Sequence, residues 1–290
     1  MTLRPWLQLV RLSNAPTIVS NVLVGFGVGM QGTDGPASWA GAAPTSLAML
    51  LLYIGGMALN DIMDEPIDRA ERPQRPIPSG RIARSSAALF VMACFTISLA
   101  VLAAQSALAL AYGFVLMIAI VIYNVIHARH AAAVILMGLC RGLVYVTAAL
   151  AAGGRPAWEA LGLLSAGLVL YVLLFSIVAR GEAGNQRRRF EEIIILAPMF
   201  AILAGELMHS AAPAWLTILG RSAFLLWTLG IAVFLQSPKR HVGRAVGWWI
   251  AGISLLDLYH LTRLDEPAAA LVALACFVLT LAGQRWIAGS

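Results

Sequence analysis

Residues 107–126 read A107-L-A-L-A-Y-G-F-V-L-M-I-A-I-V-I-Y-N-V-I126, a run without a charged side chain. A helix of about 20 apolar residues is long enough to cross the hydrocarbon core of a bilayer. Backbone groups cannot remain unpaired in hydrocarbon, and a continuous apolar run fits a helix better than an alternating strand. This stretch therefore predicts a membrane-spanning α-helix.

The composition of the whole chain also indicates that the protein lies in a lipid bilayer. Of 290 residues, 60% are hydrophobic and 12% are charged, and the mean hydropathy is +0.82. Soluble domains average about 25% charged residues, so this chain has too little polar surface for an ordinary soluble domain. We expect an all-α integral membrane protein that forms a single domain over residues 1–290.

Nine further stretches resemble residues 107–126 in length and composition, so ten spans are expected, with ends that are approximate. The ten predicted spans are Pro16–Gln31, Thr45–Ile62, Ser86–Ala104, Ala107–Ile126, Ala132–Ala151, Glu159–Val178, Glu192–His209, Ala214–Gln236, Val242–His260 and Pro267–Trp286.

Basic residues indicate how these spans are oriented. With ten crossings, sixteen of the 20 Lys and Arg residues fall on one side of the membrane, and only Arg155 and Arg263 fall on the other. Loops rich in Lys and Arg stay in the cytoplasm, so both termini are predicted to lie there. The membrane itself is expected to be a bacterial-type inner (plasma) membrane. Topology also accounts for the net charge of +6, and no nucleic-acid partner is expected.

Acidic residues concentrate at the cytoplasmic end of the second predicted span. Five of the chain's 14 lie between Asp61 and Glu71, within N60-D-I-M-D-E-P-I-D-R-A-E-R-P-Q-R-P-I-P-S-G80. On a helix, Asn60, Asp64 and Asp68 would fall within a sector of about 80°. Pro66 disfavours helix at the residue before it, which would place Asp68 on a new turn.

Oxygen ligands of this kind suit a hard divalent cation. Mg²⁺ typically takes one or two carboxylates together with waters and phosphate oxygens. Arg72 and Arg75 would bind the remaining phosphate oxygens through planar, often bidentate hydrogen bonds. The stretch therefore predicts a site for Mg²⁺ and a diphosphate; the alternative is a loop that neutralises itself through solvated ion pairs. The candidate metal ligands here are Asn60, Asp61, Asp64 and Asp68.

The pattern N60-D61-x-x-D64-x-x-x-D68 followed by R72-P-x-R75-P-x-x-S79-G80 resembles the first aspartate-rich motif of the UbiA-type intramembrane prenyltransferases. R11-L-S-N-A-P16, leading into Asn21 and Gly25, is similar to the first span of that family. The resemblance implies a bundle of nine spans around a lipid-open cavity whose polar end binds Mg²⁺ and a prenyl diphosphate.

A tenth span would depart from that family. Either Val242–His260 does not cross fully, or Pro267–Trp286 is an addition to the bundle. We favour ten crossings because the division of basic residues is then consistent, and we expect nine or ten helices.

The resemblance also implies an activity: Mg²⁺-dependent transfer of a prenyl group to a small aromatic or lipid-like acceptor, with release of pyrophosphate. Asp64, Asp68 and Arg141 would be the catalytic residues. Arg141 lies within the fifth span, where it would either reach the diphosphate from inside the cavity or extend to the headgroups.

The stretch Y123-N-V-I-H127 resembles the family's tyrosine and lysine spacing, with histidine in place of lysine. Tyr123, His127 and Arg129 are thus expected to bind the substrate, and His127 would contact phosphate as a cation only when protonated. The alternatives are an interfacial tyrosine and a solvated histidine.

The family's second aspartate-rich motif is altered in this chain. The corresponding loop, residues 179–190, contains a single acid, Glu182, which is either a further metal ligand or part of an ordinary helix end. This difference leaves a non-catalytic member as the alternative: a membrane scaffold, or a component of precursor transport similar to the UbiA-like proteins called EboC.

Two further acids lie within predicted spans. Glu206 and Asp257 are expected to be paired structurally or solvated at helix ends, outside the core of the site.

Overall fold

A computed structural model describes residues 3–32, 38–153, 156–181, 191–207, 212–237 and 241–287 of the chain. The helices are α1 (Arg4–Leu9), α2 (Pro16–Met30), α3 (Ala42–Met63), α4 (Glu65–Glu71), α5 (Arg84–Ala103), α6 (Ala107–Ile126), α7 (Ala133–Ala151), α8 (Trp158–Gly181), α9 (Glu191–Glu206), α10 (Ala214–Gln236), α11 (Val242–Arg263) and α12 (Pro267–Trp286). Two short 3-10 helices, Leu12–Asn14 and Trp39–Gly41, precede α2 and α3.

Ten of these helices are long, and they coincide with the ten predicted spans. Three of them, α6, α10 and α12, have the predicted limits, and most other ends differ by only a few residues. The apolar runs set these limits because each run ends where charged or turn-forming residues begin. The remaining helices, α1 and α4, were not predicted, since six or seven residues are too few for a periodic pattern.

Seven of the helices in the described ranges are long and apolar enough to cross a membrane by themselves: α3, α5, α6, α7, α8, α10 and α12. Of the other three, α2 and α9 have 15 and 16 residues. Helix α11 has 22 residues, enough for about 33 Å at 1.5 Å per residue. The expectation of an all-α membrane bundle with nine or ten long helices is confirmed.

Large apolar side chains cover the outer surface of the bundle, as expected where lipid is the solvent. Among those exposed are Leu89, Met92, Phe114, Leu226, Leu229, Leu271 and Val278. Helices α2 and α11 lie inside the bundle instead, with most of their residues buried.

Close contact between α2 and α7 fixes the centre of the bundle. A Cβ atom on Gly25 would lie 2.2 Å from the carbonyl oxygen of Tyr145, and one on Gly29 would lie 2.2 Å from that of Ala149. Small residues four apart allow membrane helices to approach backbone to backbone in this way. This approach brings the polar residues of α2 against those of α7.

The chain changes direction at the end of α3, as the proline predicted. Asp64 caps α3, and Pro66 lies in the first turn of α4. The last turn of α3 from Asn60, helix α4 and the turns that follow it, up to the start of α5, form one end of the bundle, which we call the acidic end.

Candidate active site

Arg75 lies between two carboxylates of the acidic end. Its Nη1 donates to Asp68 Oδ2 at 2.7 Å and lies 3.4 Å from Asp61 Oδ1. Asp61 is in the last turn of α3 and Asp68 is in α4, so a single guanidinium group joins the two helices. The Arg75 side chain is 15% exposed, and both carboxylates are buried.

Asp64 has a different partner. It accepts a hydrogen bond from His127 Nε2 at 2.9 Å, and the amide nitrogen of Asn60 lies 3.3 Å from the same ring atom. The Tyr123 ring stacks on the imidazole, with 5.2 Å between ring centroids. The hydrogen bond to Asp64 raises the pKa of His127, because the carboxylate favours the imidazolium form.

Arg11 is a further member of the site, and sequence reasoning missed it. Its Nη2 donates to Asn60 Oδ1 at 2.9 Å and lies 3.5 Å from Asp61 Oδ1. The backbone of Arg11 has a φ of 45°, and its carbonyl accepts a hydrogen bond from the Tyr53 hydroxyl. The left-handed conformation costs a non-glycine residue about 1 kcal/mol or more. The sequence signal was a basic residue just ahead of a span that begins with proline.

Glu65 connects the acidic end to α5. It accepts from Arg69 at 2.7 Å and from Arg84 at 2.8 Å. The hydrogen bond from Arg69 is the main reason that the pKa of Glu65 is lowered, with Arg84 acting in the same direction. Four carboxylates of this region, including Glu65, are therefore each paired with a cationic side chain.

A cavity of about 200 Å³ runs from the acidic end into the bundle. Arg11, Asn60 and Tyr123 line its polar end, and most of the remaining wall is apolar, including Leu52 and Phe175. An apolar wall with a few polar groups at one end is the usual form of a site for an amphiphilic small molecule.

Arg141 also lines this cavity, deeper in the bundle. Its Nη1 donates to Thr17 Oγ1 and to Asn21 Oδ1, both at 3.0 Å, and its guanidinium carbon lies 6.0 Å from the centre of the Tyr53 ring. Arg141 is therefore held by α2 inside the bundle and does not extend to the headgroups.

Asn21 links Arg141 to a buried acid that had been expected to lie outside the core of the site. The Asn21 amide donates to Asp257 Oδ2 at 2.8 Å, and the Ser20 and Tyr145 hydroxyls donate to the same carboxylate. Asp257 is fully buried in α11. It is structurally paired, as predicted, but it also orients the amide that holds Arg141.

The other predicted residues have varied positions. The side chains of Arg72 and Arg129 are exposed and make no hydrogen bond or ion pair in the part of the chain that the structure describes. Glu182 lies outside the described residues. Glu206 is paired with Arg221 and Arg263 at the opposite end of the bundle, which confirms its structural role.

The donor chemistry of the acidic end fits Mg²⁺, because Asn60, Asp61, Asp64 and Asp68 offer only oxygen ligands. Within the described ranges, no three His, Cys, Asp or Glu side chains are close enough together to hold a metal by themselves. A metal ion bound here would therefore take further oxygens from water or a diphosphate. Arg75 and His127 would have to give up carboxylate contacts to admit it.

Residues 19–240 match the profile described as the UbiA prenyltransferase family, which is more than half of the chain. The chain belongs to the UbiA prenyltransferase family. The resemblance based on the aspartate-rich motif is thereby confirmed.

Curated relatives are similar over part of their length. Digeranylgeranylglyceryl phosphate synthase of Saccharolobus solfataricus is 32% identical over 127 residues, which cover 42% of this chain and 43% of the relative. The enzyme of the same name from Methanopyrus kandleri is 34% identical over 95 residues, 33% of each chain. The matches thus span less than half of either UbiA-type relative.

Solved structures extend the similarity in fold to almost the whole chain. A UbiA homologue from Archaeoglobus fulgidus bound to DMAPP and Mg²⁺ has a TM-score of 0.63 at 16% identity, covering 90% of this chain and 99% of that one. A structure described as digeranylgeranylglyceryl phosphate synthase in membranes has a TM-score of 0.64 at 15% identity, covering 91% and 99%. These likenesses show that the chain has the UbiA fold.

Proposed function

We propose that this protein transfers a prenyl group from a prenyl diphosphate to a small aromatic or lipid-like acceptor in a Mg²⁺-dependent reaction that releases pyrophosphate. One observation carries the proposal: the acidic end, with its oxygen donors and arginines, opens directly into an apolar cavity. A prenyl diphosphate has a highly charged head and an apolar tail, which match these two environments.

The acidic end would bind the diphosphate. Asp64 and Asp68, assisted by Asn60 and Asp61, would hold Mg²⁺, which neutralises negative charge on the leaving pyrophosphate. Arg75 and protonated His127 lie beside these carboxylates and would turn to the phosphate oxygens. Arg72, Arg129 and Glu182 remain candidates for the outer part of the same site.

The cavity would bind the prenyl chain and the acceptor. As the bond from the allylic carbon to oxygen breaks, positive charge develops on the carbon, and the apolar wall excludes water from it. Arg141 would bind an electronegative group of the substrate within the cavity, because its guanidinium is fixed by Thr17 and Asn21. The acceptor would then attack the carbon and form the new bond, while the pyrophosphate leaves with the electron pair of the broken carbon–oxygen bond and takes up the proton that the acceptor loses.

The proposal places the acidic end on the cytoplasmic side of a prokaryotic inner (plasma) membrane. The excess of Lys and Arg in the loops at that end supports this orientation. Pyrophosphate would then leave directly into the cytoplasm.

Release of pyrophosphate tests the proposal. Detergent-purified protein is given prenyl diphosphates of several lengths with membrane extract as a source of acceptor, in Mg²⁺ or in EDTA. We expect Mg²⁺-dependent release that falls at least 100-fold in Asp64→Asn, since removal of one electrostatic contact to a transition state typically costs about 10² to 10³ in rate. Glu182→Gln tests the second motif.

Glu71→Gln is a matched control. Glu71 belongs to the same acidic stretch, but its side chain is exposed. We expect it to retain at least half of the wild-type rate. Donor binding without release by any of the prenyl diphosphates would instead favour the non-catalytic scaffold or transport component. No release, together with donor binding that Asp64→Asn leaves unchanged, would contradict the proposed site.

A further inference from the structure

A second cavity, of about 730 Å³, lies beside the first at the acidic end of the bundle. It is bounded by the start of α11, the end of α12 and part of α10. Its exposed lining residues include His241, Arg244 and Arg285, whereas Trp227, Trp248 and Leu281 are partly buried. The lining is therefore cationic where it is exposed and apolar further in.

The two arginines of this cavity carry uncompensated charge. Neither side chain has a hydrogen bond or ion pair with the described part of the chain, and none of the described lining residues is acidic. Both guanidinium groups are thus available for an anion that contacts them together.

Arg244 is in an unusual position for a cation. It is the third residue of α11, at the helix end where the backbone dipole is positive and where anions, not cations, are favoured. His241 caps this end by accepting from the Arg244 backbone N–H. An anion bound at the cavity would be stabilised by the positive end of this helix dipole and by the Arg244 side chain at the same time.

The inner wall indicates which kind of anion would fit. Trp227 and Trp248 form a T-shaped pair, and the Trp227 indole donates to the carbonyl of Trp248. Tryptophan is enriched where a bilayer meets water, because its ring packs against chains while its N–H stays hydrogen-bonded. A ligand with a phosphate head and an apolar chain would use both parts of this lining.

We infer that the second cavity binds the phosphate headgroup of an anionic membrane lipid, with Arg244 and Arg285 on the phosphate and the lipid chain against Trp227 and Trp248. Bidentate arginine contacts are the common mode of phosphate recognition. This inference rests on the second cavity alone and does not depend on prenyl transfer.

Such a lipid would lie next to the reaction cavity. Asn14 and Ile250 line both cavities, and Gln284 forms part of the wall between them by donating to Asn14 Oδ1 at 3.0 Å and to the carbonyl of Gly247 at 2.9 Å. A lipid in the second cavity would therefore contact residues that also line the first cavity.

Binding of short-chain lipids to the detergent-purified full chain, followed by native mass spectrometry, tests the inference. The probes are dioctanoyl phosphatidic acid, dioctanoylglycerol, which lacks the phosphate, and inorganic phosphate, which lacks the chains. We expect phosphatidic acid to bind at least tenfold more tightly than either. Arg244→Gln and Arg285→Gln should each weaken its binding at least fivefold, and the double variant at least 20-fold.

Arg4→Gln is the control for general attraction of anions to a basic protein, because Arg4 is exposed and lies in α1, not in the lining. It should change binding less than twofold. A second readout places the lipid: brominated phosphatidic acid should quench tryptophan fluorescence, and Trp248→Phe should reduce that quenching.

Three results would overturn the inference. An equal loss of binding in Arg4→Gln would indicate surface electrostatics only. Equally tight dioctanoylglycerol would mean that the phosphate is not recognised, and equally tight inorganic phosphate would mean that the occupant is a soluble anion instead of a lipid.

Discussion

At the scale of single residues, the acidic end is a set of charges that compensate each other. Arg75 joins Asp61 to Asp68, and Arg11 lies 3.5 Å from the same Asp61 oxygen that Arg75 contacts. These cations stabilise carboxylates that would otherwise repel one another. They also compete with any metal ion for the same oxygens.

Arg75→Gln should therefore have opposite effects on two ligands. Without diphosphate, Mn²⁺ used as a paramagnetic substitute for Mg²⁺ should bind about tenfold more tightly, because loss of a nearby positive charge is worth about 1.4 kcal/mol or more to a second cation. Binding of a prenyl diphosphate with Mg²⁺ should weaken. Electron paramagnetic resonance of free Mn²⁺ measures the first effect, and weaker Mn²⁺ binding in the variant would contradict the arrangement.

Asp257 illustrates a second kind of residue, an acid that is entirely surrounded by donors. Asp257→Ala removes an acceptor that Ser20, Asn21 and Tyr145 share. Ser20 keeps its hydrogen bond to the Thr17 carbonyl, but each buried donor left without a partner costs about 1–3 kcal/mol. We expect the free energy of unfolding to fall by about 3 kcal/mol or more, measured by SDS titration in mixed micelles.

Thr280→Ala provides the comparison for that variant. Thr280 is also buried, but its hydroxyl bonds only to the Cys276 carbonyl within its own helix. Its loss should cost less than about 1.5 kcal/mol, because a single hydrogen bond makes a small net contribution. Equal losses in Asp257→Ala and Thr280→Ala would show that the Asp257 network adds no stability.

At the scale of helices, the contact between α2 and α7 leaves no room for a side chain. Gly25→Ala would place its Cβ against the backbone of Tyr145, so the helices must separate. We expect it to destabilise the bundle by about 2 kcal/mol or more, and the same SDS titration measures this. Separation of α2 from α7 would also loosen the contacts of Arg141, so activity should fall as well.

Gly162 gives the opposite prediction. It lies in α8, and a Cβ there would have no heavy atom from beyond its own helical turn within 4 Å among the described residues. Gly162→Ala should leave stability unchanged or raise it by up to about 1 kcal/mol through helix propensity. A loss in Gly162→Ala as large as that in Gly25→Ala would mean that close packing is not the cause.

Helices are also the scale at which the sequence was most informative. The limits of α6, α10 and α12 follow from apolar runs bounded by polar residues, which is local information. The partners of the site residues are not local: Arg75 meets Asp61 only because the chain reverses after α4, and Asp257 meets Asn21 across two helices that are far apart in the chain. The sequence therefore predicted the acidic cluster and named Arg75 and His127 as site residues, but it did not predict which carboxylate each of them contacts.

At the scale of the whole molecule, the charge distribution predicts sidedness. Ser85 and Ala104 lie at opposite ends of α5, and both are exposed. In inside-out vesicles, a membrane-impermeant maleimide should label Ser85→Cys and not Ala104→Cys, and in right-side-out vesicles the reverse should hold. The parent protein for both variants carries alanine at Cys94, Cys140 and Cys276. Labelling of both positions from one side would contradict a spanning α5.

Helix α11 has a consequence for how the protein is made. It carries Asp257, His260 and two arginines and is not among the seven helices apolar enough to cross by themselves, yet it lies buried against α2, α10 and α12. A helix of this kind partitions poorly from the translocon into lipid as a lone segment. Its integration therefore depends on α12, the helix that follows it in the chain, and a chain released before α12 is made would expose α11 to cellular quality control.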